Sequence, residues 1–218
     1  EIRYAEGYQE RYAPKKEAIF GEVTQERVET VDELDPQMLQ EAIDAAKNAE
    51  VAVIFTGSNR DYETEASDRE DLKLPFAQEE LIDKVLEVNP NTVVVMIGGA
   101  LFDIGGIKEK AAALVWSWFN GAEGGNALAD VLLGTVNPSG KLPSTFPMTY
   151  DDVPSSNNFP GVATGEKFML LGIFEAQPSE VRYVEGIYVG YRYYDTFGVQ
   201  PAYEFGYGLS YTDFEFGD

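Results

Sequence analysis

Three continuous apolar runs, each followed by a glycine-bearing turn and each reached through a helical pattern, constrain this chain more than any other feature. They are VAVIFTG at 51–57, TVVVMIG at 92–98 and the stretch Ala113–Phe119. Runs of this length without polar alternation suit strands buried on both faces. Between them the apolar residues change period. Leu39, Ala42, Ile43 and Ala46 repeat at helical spacing within 35–50, and Leu81, Ile82, Val85 and Leu86 do so within 76–88. Asp35 stands where a cap belongs, and Pro36 follows at a position that needs no N–H. A short helix around Ile107–Ala111 and a longer one over 124–133 complete the alternation. Strands alternating with amphipathic helices predict an α/β chain: a mostly parallel sheet with helices on both faces, an α/β sandwich with flavodoxin-like layering.

The core of that sandwich spans about 35–145. From about 146 to 218 proline, glycine and aromatic residues dominate. This stretch is too long for a loop and too aromatic for disorder, so a long ordered tail with a few short strands is expected to wrap the core. The whole of 1–218 is read as a single domain. It opens at Glu1-Ile2-Arg3-Tyr4 without an initiator Met or a visible leader, and is expected to be a fragment.

The inventory of side chains narrows the chemistry. The chain has no cysteine and no histidine. Thiolate chemistry, Cys-ligated zinc, His-dependent triads and HExxH sites are therefore excluded, and neither metal nor cofactor is expected. Proton transfer must fall to carboxylates, lysine or tyrosine. With 16 basic and 38 acidic residues the formal charge is −22. Such a surface repels phosphate backbones and anionic lipids, so neither nucleic acid nor membrane is an expected partner. Absence of cysteine is compatible with cytoplasm, periplasm or export, and the last two are preferred.

Ligands of open parallel sheets bind beyond the carboxyl ends of the strands. Three loops occupy that edge here: 57–75, 98–106 and 119–125. The first, GSNRDYETEASDREDLKLP, crowds Asp61, Glu63, Glu65, Asp68, Glu70 and Asp71 around Arg60 and Arg69. Crowding and partial burial raise carboxyl pKa values, and a carboxylic acid still protonated near neutrality can donate to a leaving group. A solvated acidic loop has the same composition. In FNGAEGGNALAD the glycines permit a tight turn and close helix packing, without the lysine of a phosphate loop. Glu123 there either binds sugar hydroxyls or is a buried carboxylate capping backbone N–H groups. Trp116 and Trp118 alternate along a strand and so share a face; Trp118, nearer the end, can stack on a sugar ring, and core packing is the competing role for both. Ser58 has no base to activate it.

Taken together these stretches resemble glycoside hydrolase family 3. The residues that carry the likeness are Glu65-Ala66-Ser67-Asp68-Arg69, then Leu72-Lys73-Leu74-Pro75 and Gln78…Leu81-Ile82; the run 118–147 from Trp118 to Pro147; EGIYVGYRYYD at 185–195; and FGYGLSY at 205–211. The resemblance implies the C-terminal α/β-sandwich domain of a β-glucosidase. In that family a TIM-like barrel supplies an aspartate nucleophile and the sandwich supplies the acid/base glutamate. Aligned on the Asp-Arg pair, that glutamate falls on Glu65; Glu63 is the fallback, because Ala66-Ser67 replaces the family's commoner Gly-aromatic pair and the loop varies in length.

The resemblance thus implies a retaining hydrolase of terminal non-reducing β-D-glucosyl residues. Its substrate is a small oligosaccharide or β-glucoside, and its partner is a barrel in the same polypeptide or in another. Asp68 and Arg69 are expected to structure the loop, and Trp118 and Glu123 to bind substrate. The chain has no S-D-W motif, so the nucleophile is expected elsewhere and the isolated chain is expected to be silent. A β-xylosidase or exo-β-glucanase of the same family stays open, as does a non-catalytic carbohydrate-binding module; a flavodoxin-like scaffold is disfavoured for want of a phosphate loop. The family's following fibronectin-like domain is not in this chain, and residues 162–182, which match no pattern of the family, are expected to be an insertion facing a partner domain.

Overall fold

The computed structural model describes residues 1–218 apart from 21–22, 64–68, 70, 173, 216 and 218, with backbone alone at 14–20, 23–29, 174 and 175. An antiparallel hairpin comes first, β1 (Tyr12–Phe20) against β2 (Val23–Thr30), with Tyr12 opposite Thr30. The α/β portion follows: α1 (Pro36–Lys47), β3 (Ala52–Gly57), α2 (Gln78–Val88), β4 (Thr92–Ile97), α3 (Gly105–Lys110), β5 (Ala113–Trp116) and α4 (Gly124–Leu132). Strands β3, β4 and β5 form a parallel sheet in that order, with Ala52 opposite Thr92 and Val93 opposite Ala113. The layered α/β architecture is the expected one.

Local chemistry explains the boundaries. Asp35 Oδ1 accepts hydrogen bonds from the backbone N–H groups of Gln37 (2.8 Å) and Met38 (3.1 Å). Pro36 occupies the first helical position. A cap of this kind stabilises a helix by about 1 kcal/mol. Asp35→Ala should therefore lower the unfolding free energy by about 1 kcal/mol without moving the denaturant slope, as read by urea unfolding followed by circular dichroism. At the other end Asn89, buried beyond α2, donates through Nδ2 to the carbonyls of Ala46 (2.9 Å) and Ala49 (3.1 Å). It thereby ties the end of α2 to the turn that closes α1.

The helical period of α2 puts Leu81, Ile82, Val85 and Leu86 on one face, all buried. That face packs on β3 and β4, with α1 and α3 to either side. It meets the sheet residues Ile54, Val94 and Met96, which point to the same side. Each such aliphatic side chain contributes about 1.5–3 kcal/mol through burial. The expectation of strands buried on both faces holds for β4 but not for β3, nor for β5, which has no buried residue. Val53 is 42% exposed and Phe55 49%. These two side chains alternate with Ile54 and so lie on the other face of the sheet, where they are only partly covered among the described residues. Helix α4 has no buried residue.

Strand β5 ends at Trp116, shorter than expected, and Trp118 has φ +57°. A positive φ at a bulky residue cannot continue a strand.

Past α4, residues 137–146 run back-to-back with 202–211. Phe146 and Tyr203 form an antiparallel bridge, Ala202 N donates to Phe146 O (2.8 Å), and Leu142 N donates to Tyr207 O (2.8 Å). Asn137 Oδ1 accepts from Tyr211 N (3.0 Å). The intervening stretch holds the short strands β6 (Val162–Ala163), β7 (Phe168–Leu170), β8 (Phe174–Ala176) and β9 (Ser179–Glu180). It also holds a helix that the expectation of strands alone did not contain, α5 (Tyr191–Phe197), bracketed by Gly190 and Gly198. Among the described residues no helix is long and apolar enough to cross a membrane.

Candidate active site

The carboxyl ends of β3, β4 and β5 open onto three loops, and the first is held tightly where it leaves the sheet. Gly57, the last residue of β3, has φ +140°. Its N–H donates to Gln78 Oε1 and its carbonyl accepts from Gln78 Nε2, both at 2.7 Å. Gln78 lies at the start of α2 and is completely buried. The Gln78 amide thus acts as a fork that fixes both polar groups of Gly57 inside the protein, where leaving them unpaired would be costly.

The chain then makes a short turn around Asn59, whose Oδ1 accepts from the N–H groups of Asp61 and Tyr62, both at 3.0 Å. Tyr12 of the hairpin donates its hydroxyl to the same oxygen at 2.8 Å. Asn at this position suits the turn because its side chain replaces a backbone acceptor.

This turn delivers Glu63 inward. Its Oε2 accepts from Ser58 Oγ at 2.6 Å and from the backbone N–H of Gly99 at 2.7 Å. Its Oε1 lies 3.5 Å from Arg69 Nη1, and each of the two side chains is only 11% exposed. Neither Glu63 Oε1 nor Arg69 Nη1 has a hydrogen-bond partner among the described residues, so these two atoms face each other as an ion pair. Arg69 also donates Nη2 to Leu101 O at 2.5 Å and lies over the ring of Phe102, 4.7 Å from its centroid. Burial pushes the Tyr62 hydroxyl above its ordinary pKa, with Asp71, Asp32 and Glu63 adding to the shift and Arg69 opposing it.

The three loops meet at this point. A methyl group at Gly99 would lie 2.9 Å from the Phe119 ring and 3.3 Å from the Glu63 carboxylate. The loop after β3, the loop after β4 and the end of β5 therefore converge on one carboxylate and one half-exposed aromatic ring. Glu65 and Asp68 lie outside the described residues, in the segment that begins directly after Glu63 and ends directly before Arg69.

The remaining candidates lie on the third loop. Trp118 is half-buried, and its ring meets Trp116 (5.9 Å between centroids) and Phe146 (6.4 Å) edge-on. Glu123 is exposed, makes no capping bond at the start of α4, and accepts from Asn126 Nδ2 at 2.6 Å. The role of a buried capping carboxylate is thus overturned: it precedes a helix that itself lies at the surface. Ser58, Gly99 and Phe119 were not among the sequence candidates for the site. Ser58 stood out there only as a nucleophile without a base, and its structural role is that of a donor to Glu63. Among the described residues no group of acidic side chains is arranged to hold a metal.

The model of the glycosyl hydrolase family 3 C-terminal domain matches residues 4–191. The thermostable beta-glucosidase B of Acetivibrio thermocellus is 42% identical over 187 residues, which cover 86% of this chain and 23% of that protein. An exo-alpha-(1->6)-L-arabinopyranosidase of Bifidobacterium longum is 40% identical over 181 residues, covering 83% of this chain and 22% of that protein. The crystal structure of a beta-glucosidase from Kluyveromyces marxianus in complex with glucose superposes with a TM-score of 0.72 at 41% identity, over 83% of this chain and 20% of that one. The chain thus spans less than a quarter of the length of these relatives, at an identity that leaves no ambiguity of kinship. It belongs to glycosyl hydrolase family 3 and carries that family's C-terminal domain.

Proposed function

We propose that this chain is the acid/base-contributing domain of a retaining β-glucosidase, with Glu65 as the proton donor and a TIM-like barrel, in the same polypeptide or a partner, supplying the nucleophile. The observation that carries the reading is the acidic loop at the carboxyl edge of the parallel sheet, anchored on both sides of Glu65 in a chain of this family. Under this reading residues 1–218 act as one domain that faces the barrel.

The division of labour follows from retaining chemistry, which needs two carboxyl groups about 5–5.5 Å apart. The barrel carboxylate attacks the anomeric carbon of a terminal β-D-glucosyl residue. Glu65, protonated, gives its proton to the glycosidic oxygen as that C–O bond breaks. The aglycone leaves, and the sugar stays bound as an ester of the nucleophile. Glu65, now a carboxylate, takes a proton from water as the water attacks the same carbon. β-Glucose departs, and both carboxyl groups return to their starting states.

Glu63 is the weaker choice for the donor. Its Oε2 already accepts two hydrogen bonds and its Oε1 faces Arg69, so both carboxylate oxygens are engaged within the protein. Glu123, exposed beside the site loop, is the candidate to contact sugar hydroxyls. Trp118, half-buried and just before the same loop in sequence, is the candidate aromatic contact. Asp68 shares the short segment with Glu65.

Two measurements test the reading. Proton NMR of the first product released from an aryl β-glucoside by the complete enzyme should show β-glucose, before mutarotation. Appearance of the α-anomer first would remove the retaining mechanism. The purified 218-residue chain should give no turnover of the same substrate, and turnover by it would remove the need for the barrel.

A further inference from the structure

We propose that Glu63 and Arg69 are positioning residues, a clasp that brings together the two ends of the segment carrying the acid/base glutamate; the proposal rests on the assignment of Glu65 made above. The two residues flank that segment immediately, Glu63 before it and Arg69 after it. Their charged groups meet at 3.5 Å with 11% of each side chain exposed.

Each half of the clasp is also tied to a neighbouring loop. Glu63 holds Ser58, at the end of β3, and Gly99, beyond β4. Arg69 holds the carbonyl of Leu101 and the face of Phe102, in the same loop as Gly99. The two ends of the segment are therefore fixed to one another and to the adjacent strand's loop. A proton donor must be held within a fraction of an ångström of the glycosidic oxygen, and a misplacement of about 1 Å can cost 100-fold in rate.

The test uses the complete enzyme and two substrates. Phenyl β-glucoside has a poor leaving group and needs the acid; dinitrophenyl β-glucoside has a good one and does not. Glu63→Gln keeps an oxygen for Ser58 and Gly99 and removes only the charge that faces Arg69. It should lower kcat/KM for the phenyl substrate about 10- to 100-fold and for the dinitrophenyl substrate by less than about 3-fold. Added azide should raise turnover of the dinitrophenyl substrate. Arg69→Met should give the same split, and Arg69→Lys a smaller one, because an ammonium keeps the charge and loses the fork. If Glu63→Gln does not fold, Ser58→Ala, which deletes one donor to the clasp, should show the split at about 3- to 10-fold.

Equal losses on both substrates, or no loss, would overturn the proposal, since a purely structural role lowers active enzyme without regard to leaving group. Glu65→Ala measured alongside separates the two layers of the argument. A split in Glu65→Ala and none in Glu63→Gln removes the clasp alone. A split in Glu63→Gln and none in Glu65→Ala removes both, and makes Glu63 the donor itself.

Discussion

Replacing Glu65 with Gln in the complete enzyme should lower kcat/KM for phenyl β-glucoside about 100- to 10,000-fold, or about 3–5 kcal/mol of transition-state stabilisation. The amide matches the carboxyl in size and can still donate a hydrogen bond, but it has no proton to transfer. The loss should therefore follow the leaving group. For dinitrophenyl β-glucoside the first step proceeds without an acid, so its kcat/KM should stay near the starting value. Its kcat should fall, because the second step still needs a base to take a proton from water. Azide needs no base; it should restore kcat on this substrate and leave β-glucosyl azide as the product. The alkaline limb of the pH–rate profile, which reports loss of the acid's proton, should vanish for the good leaving group. An unchanged kcat/KM on the phenyl substrate would transfer the role to another carboxyl group, and a product azide of α configuration would contradict a covalent intermediate on the opposite face.

How much of this could be read from residues alone depended on how local the information was. Asp35-Pro36 announces the start of α1 within three residues, and the cap forms as its chemistry requires. The face of α2 is set by spacing alone, and all four of its apolar residues are buried. The burial of β3 was misjudged because a sequence run reveals apolarity and not what lies over it; Val53 and Phe55 lie on a face that is only partly covered among the described residues. The β1–β2 hairpin and the pairing of 137–146 with 202–211 depend on contacts distant in sequence, which no local period encodes. The run 118–147 and the motif 205–211 were visible as motifs, but their pairing across Leu142 and Tyr207 was not. Helix α5 contains Tyr191, Tyr193 and Tyr194, residues that favour strands; its bracketing glycines were the clearest local sign.

The site followed the same division. The acidic loop, its position at the carboxyl edge of the sheet and the importance of Arg69 were readable. The ion-pair partner of Arg69 among the described residues was not, because the inward placement of Glu63 depends on the preceding turn, which Asn59 and the distant Tyr12 hold. Gly99 had no signal beyond being a glycine after a strand. Its backbone N–H is a ligand of Glu63, and backbone donors are invisible to any search by residue type.

The same blindness to backbone makes Gly57 the residue where a single methyl group should do most damage to the fold. Gly57→Ala places a Cβ 1.6 Å from the carbonyl oxygen of Ile97 and 2.6 Å from its carbonyl carbon. Those are backbone atoms of the adjacent strand, and no rotamer change can move them away. The φ of +140° is one that side-chain-bearing residues rarely adopt, so the new residue is strained even without the collision. Relief requires β3 to part from β4 at its last pair. That breaks the Ser58 N–H bond to Ile97 O and pulls Gly57 off the Gln78 fork, whose donor and acceptor are buried. Gly57→Ala should therefore cost about 3–5 kcal/mol, at the upper end for a single substitution, and lower Tm by about 6–20 °C.

Gln78→Leu, similar in size, should cost about 2–5 kcal/mol by stranding the two polar groups of Gly57. Gly125→Ala provides the matched control: it lies in α4 with no atom within 4 Å of the added methyl, and should be neutral or stabilise by up to about 1 kcal/mol. A Gly57→Ala protein within about 1 kcal/mol of the parent would show that the β3 end can yield, contrary to the geometry. Because Gly57 launches the loop that leads through Ser58 and Glu63 to Glu65, a variant that folds should still lose the clasp. Its residual activity should show the same dependence on leaving group as Glu63→Gln.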